Sequence, residues 1–435
     1  MRIVLADADR TVVAAVAAAA EPPGSVVRDF DTLLDFLGGD GMPVSPKEYD
    51  LAIARLPELN SRLTHPTPTG LARGRQISYP HIDGLHLLLL VSRLGKLERS
   101  RPTARLVLDS ALLATWRQLN PTERYFALLE RWWSLSDMHQ GRSELDALRL
   151  AEYRHQFLRS QRQGSSRDER EQGTRGIWWR LLGMKQIALL QMFGMLDIVS
   201  FPAAPGEGWK IRRMRSTPWG LTASASYLQA FRYTSLGSFE EWLDAPDADA
   251  GEEDRAEDPE ASAAEDDRPA FHYWADAMLP LFPEWQQVLG EPDAVEPFRG
   301  SYTLKVALGE HAWRRIVVPA ESTFDDLALF VLRAFRFDDE HLYEFRLRDQ
   351  YAARRTLSDP RYSEAEDEYA DALILGAAHL FPQAIHRTPV RLRQRLALPC
   401  IRGRAERLRK RRQTRRPRKG GQSPEAIRLM SYGKR

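Results

Sequence analysis

Twelve carboxylates fall between Asp244 and Asp267 against a single cation, Arg255, and most of the remaining residues there are Ala, Pro, Gly and Ser. A stretch of that composition cannot bury enough apolar area to offset the entropy of ordering it. Residues 244–268 therefore read as an acidic, disordered linker, and whatever folds must fold on either side of it. The formal net charge of +2 conceals this segregation. Residues 387–435 carry eighteen Lys and Arg against Glu406 and Glu425, a net of +16, which leaves −14 for residues 1–386. Taken at face value, the tail over 383–435 is a disordered basic arm suited to phosphate.

A chain of 435 residues is long enough for two or three domains, and 43% hydrophobic content suits a globular core without covalent staples. The lone cysteine, Cys400, excludes an intramolecular disulfide and a thiolate-rich metal cluster, and fits a reducing compartment. Val12 to Ala20 is apolar, but Asp7, Asp9 and Arg10 precede it and supply no positive head for a signal peptide. Leu85 to Val91 is too short to span a bilayer, and Ile177 to Val199 contains Arg180, Lys185 and Asp197. A cytoplasmic protein without membrane partners is expected.

Residues 1–140 read as a mostly helical N-terminal domain, followed by a polar linker over 141–175. Phe30 to Leu37 and Leu106 to Trp116 have helical apolar spacing. Asn120-Pro121-Thr122-Glu123 is a helix start, with Asn120 as cap, Pro121 in the first turn and Glu123 reaching back. The helix it opens, ERYFALLERWWSL, is dense enough in large apolar residues to be core. His81 and His86 flank Asp83, but no third ligand converges at that spacing, so a structural role is the better reading.

Residues 176–243 suggest a winged-helix-like subdomain. A long apolar helix ends near Ile198, Val199 to Phe201 is extended, and Pro205-Gly206-Glu207-Gly208 makes a turn. A strand from Trp209 to Met214 follows, and Thr217-Pro218-Trp219-Gly220 opens another helix. Lys210, Arg212, Arg213 and Arg215 would lie on or beside the wing, where cations neutralise phosphates without reading sequence. The alternative is a fold used for packing or protein contact, with its arginines a solvated edge.

Between Ser301 and Leu347 the signals run strand, strand, helix, strand. Tyr302 to Leu308 alternates in period two, Trp313 to Val318 is β-branched and aromatic, and Phe324, Leu327, Ala328, Val331, Leu332 and Phe335 recur at helical spacing. Ser322 or Thr323 supplies the cap, with Asp325 and Asp326 in the first turn. Three segments stand out in order: Trp313-Arg314-Arg315-Ile316-Val317-Val318-Pro319, Thr323-Phe324-Asp325-Asp326-Leu327, and His341-Leu342-Tyr343-Glu344-Phe345. In these the block resembles the plasmid pRiA4b ORF-3-like family, known from plasmids and as insertion-sequence passenger proteins.

The resemblance implies a small grasp-like α+β module over 271–382 with no established catalytic residues. It also implies a second half containing an aromatic-Asp-aromatic-Gly-Asp-x-Trp segment, which this chain lacks. Degenerate codons for Pro389 to Pro399, PVRLRQRLALP, permit PFDFGNDWRF one nucleotide later. The expectation is therefore a truncated module with an unpaired sheet edge, followed from about Pro382 by a shifted-frame product.

The chain has no Gly-rich phosphate loop, GxSxG elbow, HExxH or paired Cys and His pattern, so no enzyme, cofactor or small-molecule substrate is expected. His341 and Glu344, with Asp338 and Asp339 just before them, could support a metal or acid–base site only if another ligand came from elsewhere; the alternative is a set of hydrogen bonds tying strand to loop. The fold class expected is α+β, and the expected partner is DNA at the wing. The alternatives are a protein partner at the module's sheet edge, or a metal-dependent enzyme centred on His341.

Overall fold

The computed structural model describes residues 3, 5–45, 48–100, 103–139, 144–162, 165–166, 175–244, 268–292, 296–308, 312–338, 342–361, 368–378, 390–392, 396–398 and 401–406. The fold is mixed α+β. The first part runs α1 (Asp7–Ala17), α2 (Val26–Leu37), β1 (Met42–Val44), α3 (Leu56–Arg62), α4 (Pro80–Val91), β2 (Gly95–Ser100), β3 (Thr103–Leu108), α5 (Ser110–Gln118), α6 (Pro121–Glu130) and α7 (Ser136–His139). Strands β1, β3 and β2 form an antiparallel sheet in that order. Leu106 to Leu108, expected to begin a helix, belongs to β3; Asp109 caps α5 by accepting from the amides of Ala111 and Leu112.

Helix α4 is the centre of this part. Eleven of its twelve residues are buried, and it touches α2, α3, α7 and β2. A helix apolar all round is stable only when enclosed, which is why its sequence shows no one-sided stripe. The aromatic run that begins in α6 and continues past its end to Trp132 and Trp133 is core, as expected. Phe126 stacks on Trp285 at 4.0 Å, Trp132 stacks on Phe193 at 4.8 Å, and the Tyr125 hydroxyl donates to the Phe193 carbonyl at 2.9 Å.

The next part contains α8 (Glu144–Ser160), β4 (Ser165–Ser166), α9 (Arg175–Met192), β5 (Leu196–Ser200), β6 (Ile211–Ser216) and α10 (Pro218–Asp244). Gly183 interrupts α9 with φ 74°, a left-handed conformation that favours glycine and divides the element into two helices. The sheet order is β4-β6-β5, all antiparallel.

Helix α11 (Ala270–Met278) and the chain up to Leu289 were grouped with the module on sequence, yet Phe271, Trp274, Met278, Phe282, Trp285 and Leu289 pack into the N-terminal core. The Asn120 capping box explains how. Besides its own helix it binds the returning chain: Asn120 Nδ2 donates to Glu284 O at 2.8 Å, and Glu123 Oε1 accepts from the amides of Gln286 and Gln287 at 3.1 and 2.8 Å.

The module has its own core, built from β7 (Ser301–Leu308), β8 (Ala312–Pro319), α12 (Phe324–Phe335), β9 (Glu344–Arg348), β10 (Arg354–Ser358) and β11 (Glu368–Tyr369). Tyr302, Leu304 and Val306 of β7 and Ile316 and Val318 of β8 face the α12 stripe, and Thr323 with Asp326 forms the capping box. The ββαβ order is as expected, but the strands divide between two sheets, with β9 paired to β10 rather than to β7 or β8. In the basic region β12 (Val390–Leu392) pairs with β13 (Leu396–Leu398), and β14 (Ile401–Glu406) lies antiparallel along β7. An unpaired sheet edge was expected for the module; the β7 edge is covered over residues 301–306.

The loop joining β9 to β10 seats the module on the N-terminal part. Asp349 Oδ1 accepts from the amides of Tyr351 and Ala353, and the exposed carbonyls are then used outward. Gln350 O accepts from Leu97 N at 2.7 Å and Tyr351 O from His139 Nε2 at 2.8 Å. Among the described residues, no helix is long and apolar enough to cross a membrane.

Candidate nucleic-acid interface

Strand β6 gathers the cations singled out in the sequence. Ile211, Met214 and Ser216 are buried, while Arg212, Arg213 and Arg215 are exposed. Val199 pairs with Arg213 and Ser200 with Ile211, so the register shifts between Val199 and Ser200 and leaves Arg212 as the extra residue of a bulge. A bulge re-aims side chains. Here two consecutive arginines reach solvent, which strict alternation would forbid. Asp197 lies opposite Arg215 in register, but among the described residues no ion pair ties down Arg212, Arg213 or Arg215. Lys210 differs from them, being half-exposed and ion-paired with Glu207.

The loop between β5 and β6 is held to the N-terminal part rather than free. Gly70 N donates to Glu207 O at 2.9 Å, and Gly206 N donates to Gly70 O at 3.0 Å. The two backbones come so close that a Cβ on Gly70 would lie 1.8 Å from Ala204 O. Gly70→Ala is therefore expected to cost about 1–3 kcal/mol by forcing this loop outward; an unchanged urea midpoint would show that the anchor contributes nothing. Trp209 packs as a structural side chain, with Nε1 donating to Ser200 Oγ at 2.8 Å and its ring 5.1 Å from His81.

The half of α9 after Gly183 lies against α4. Lys185 pairs with Asp83 at 3.4 Å. Gln186 Oε1 accepts from Trp132 Nε1 at 2.9 Å and from Arg154 Nε at 3.3 Å. Gln191 Oε1 accepts from His81 Nε2 at 2.9 Å, while Thr67 Oγ1 bonds the other ring nitrogen at 2.9 Å. His81 is thus fully used, and burial pushes its pKa down. Nothing in the sequence marked this segment as covered; the only signal was the polar trio His81, Asp83 and His86 on an otherwise apolar helix.

His86 accepts at Nδ1 from Gln76 Nε2 at 3.0 Å, and its Nε2 has no partner. Burial first, then the Lys185 ammonium and any proton on His139, lower its pKa to about 4 against the pull of Asp83. Among the described residues no three His, Cys, Asp or Glu side chains gather as a metal would need.

The module motifs are structural where they are described. Phe345 is buried against Phe324 at 5.3 Å, Arg314 lies over Phe335 at 5.2 Å, and Lys305 Nζ lies 4.6 Å from the Trp313 ring centre. Glu344 pairs with Arg346, and the Tyr343 hydroxyl donates to Asp325, its pKa raised by burial and by that carboxylate. Arg315 is exposed, opposite Lys305 in register. His341 lies outside the described residues.

Residues 301–380 match the family described as plasmid pRiA4b ORF-3-like protein. The matched segment begins with β7 and takes in β8, α12 and the β9–β10–β11 sheet, leaving β14 outside. No curated protein and no solved structure matches the chain. The pRiA4b ORF-3-like segment holds Trp313, Arg314, Arg315, Glu344 and Phe345, whereas β6 and its arginines lie outside it.

Proposed function

We propose that the chain is a non-enzymatic protein that binds DNA through β6 of a winged-helix unit, read over 176–243 in the sequence and enlarged here by α8 and β4 from the stretch read as a polar linker. Two features support that architecture: the order helix, strand, two helices parted at Gly183, then two strands, and the sheet order β4-β6-β5. The observation that carries the reading is the bulge in β6, which presents Arg212, Arg213 and Arg215 to solvent together. Exposed guanidiniums in a row bind phosphate by releasing counterions. The absence of any catalytic motif in the sequence argues against an enzyme. Fluorescence anisotropy on duplex DNA with Arg212, Arg213 and Arg215 all changed to Glu tests the reading, and unchanged affinity would sink it.

The end of the family match at residue 380 supports a second proposal, that the arginine-rich sequence after about Pro382 is read in a shifted frame. Sequencing the locus decides it. Codons for Pro389 to Pro399 that cannot encode the aromatic-Asp-aromatic-Gly segment at the one-nucleotide offset would eliminate the idea.

A further inference from the structure

We infer that β6 holds DNA by its phosphates alone, and that binding is indifferent to base sequence. This rests on the DNA-binding reading of β6 and follows from what the helix ahead of it is doing. In helix-turn-helix docking, the second helix lies in the major groove and offers polar side chains to the base edges. By chain order its counterpart here is the part of α9 after Gly183, which leads directly into β5.

That half-helix has three long polar side chains, and all of them are bonded inside the protein: Lys185 to Asp83, Gln186 to Trp132 and Arg154, and Gln191 to His81. Ile187, Ala188, Leu189 and Met192 are completely buried and Leu190 nearly so. The cover is α4, and it cannot act as a lid, because α4 is itself buried on every side. A Cβ on Gly84 would sit only 3.0 Å from Leu189, so the two helices are already close to contact distance there. Removing α4 would take apart the centre of the core. Among the described residues the second half of α9 therefore offers no groove-reading surface, and the three arginines of β6 are left to meet the backbone.

Phosphate contacts position a protein on the duplex and carry no base information. Three neutralised phosphates give a slope of about −2.7 in log affinity against log salt. A protein that read bases would instead lose about fivefold or more for each wrong base pair.

The test is anisotropy titration of the full chain, with and without Arg212, Arg213 and Arg215 all changed to Gln so that the contribution of the basic segment 383–435 cancels in the difference, on an A·T-rich, a G·C-rich and a mixed duplex of equal length over a salt series, together with Lys185→Met. The inference expects affinities equal within about threefold, a salt slope steeper in the parent than in the triple variant by about 2.7, and Lys185→Met binding like the parent while melting at lower temperature. A spread of about tenfold or more among the duplexes would overturn it, and so would loss of binding in a Lys185→Met protein that circular dichroism shows to be folded. The duplex panel decides the matter even where Lys185→Met does not fold. Absence of binding to every duplex at low salt would overturn the DNA-binding reading itself, a result distinct from binding with sequence preference.

Discussion

Changing Arg212, Arg213 and Arg215 together to Glu is expected to lower affinity for duplex DNA by at least about 100-fold at physiological salt. Losing one exposed phosphate contact costs about 1 kcal/mol, three cost about 3 kcal/mol, and reversal adds repulsion to the loss. Stability should hardly move, because all three side chains are exposed and make no ion pair among the described residues. Single Arg→Gln changes should each reduce the salt slope by about 1. Lys210→Gln should do less, since that ammonium is already paired with Glu207. An affinity that follows Lys210 rather than the three arginines would place the contact on the loop instead of the strand.

The second large effect concerns acid. His86 is buried and neutral, with its pKa lowered from 6.5 to about 4. In the unfolded chain the ring takes up a proton near its ordinary pKa, whereas in the folded chain it resists until about pH 4. Its contribution is therefore fully present above pH 6.5 and is lost as pH falls from there towards 4, reaching about 3 kcal/mol. His81 and His139, also lowered by burial, act in the same direction. Asp50 and Glu130, raised by burial, act in the opposite direction. The informative measurement is thus the difference between the parent and His86→Gln in urea unfolding between pH 7.5 and 4. The variant should lose about one proton's worth of pH dependence; identical slopes would show that His86 is not held neutral.

Much of the local structure was legible because its signals are short-range. Asn120 and Glu123 announce a capping box, and Thr323 and Asp326 form one. The β7 alternation and the α12 stripe each mark a single buried face. The four cations were found by their clustering, but the division among them was not. Whether Lys210 or the arginines are free depends on Glu207 and on a bulge, and a bulge is a mismatch between two strands that neither strand shows alone. The helix end expected near Ile198 falls at Met192, since pairing with β6 draws Leu196 to Ser200 into a strand. The seat of 271–289 on the N-terminal core was hidden for a similar reason, as Trp285 and Leu289 name no partner until Phe126 and Asn120 are brought to them.

By itself the sequence determined the caps of α6 and α12, the β7 alternation, the two charged segments, the family resemblance of the module and the cationic character of β6. All of these follow from residues near one another in the chain, where propensity, periodicity and capping act. It did not determine α8 and β4, which lie in the stretch read as a polar linker over 141–175. Tertiary structure alone decided what those elements can reach. The second half of α9 is mostly apolar but carries Lys185, Gln186 and Gln191, which could have faced a ligand, yet they are bonded to Asp83, Trp132 and His81 on helices tens of residues away. A side chain can satisfy its hydrogen bonds in solvent, on a ligand or within the core, and only the packing of α4 against α9 settled which.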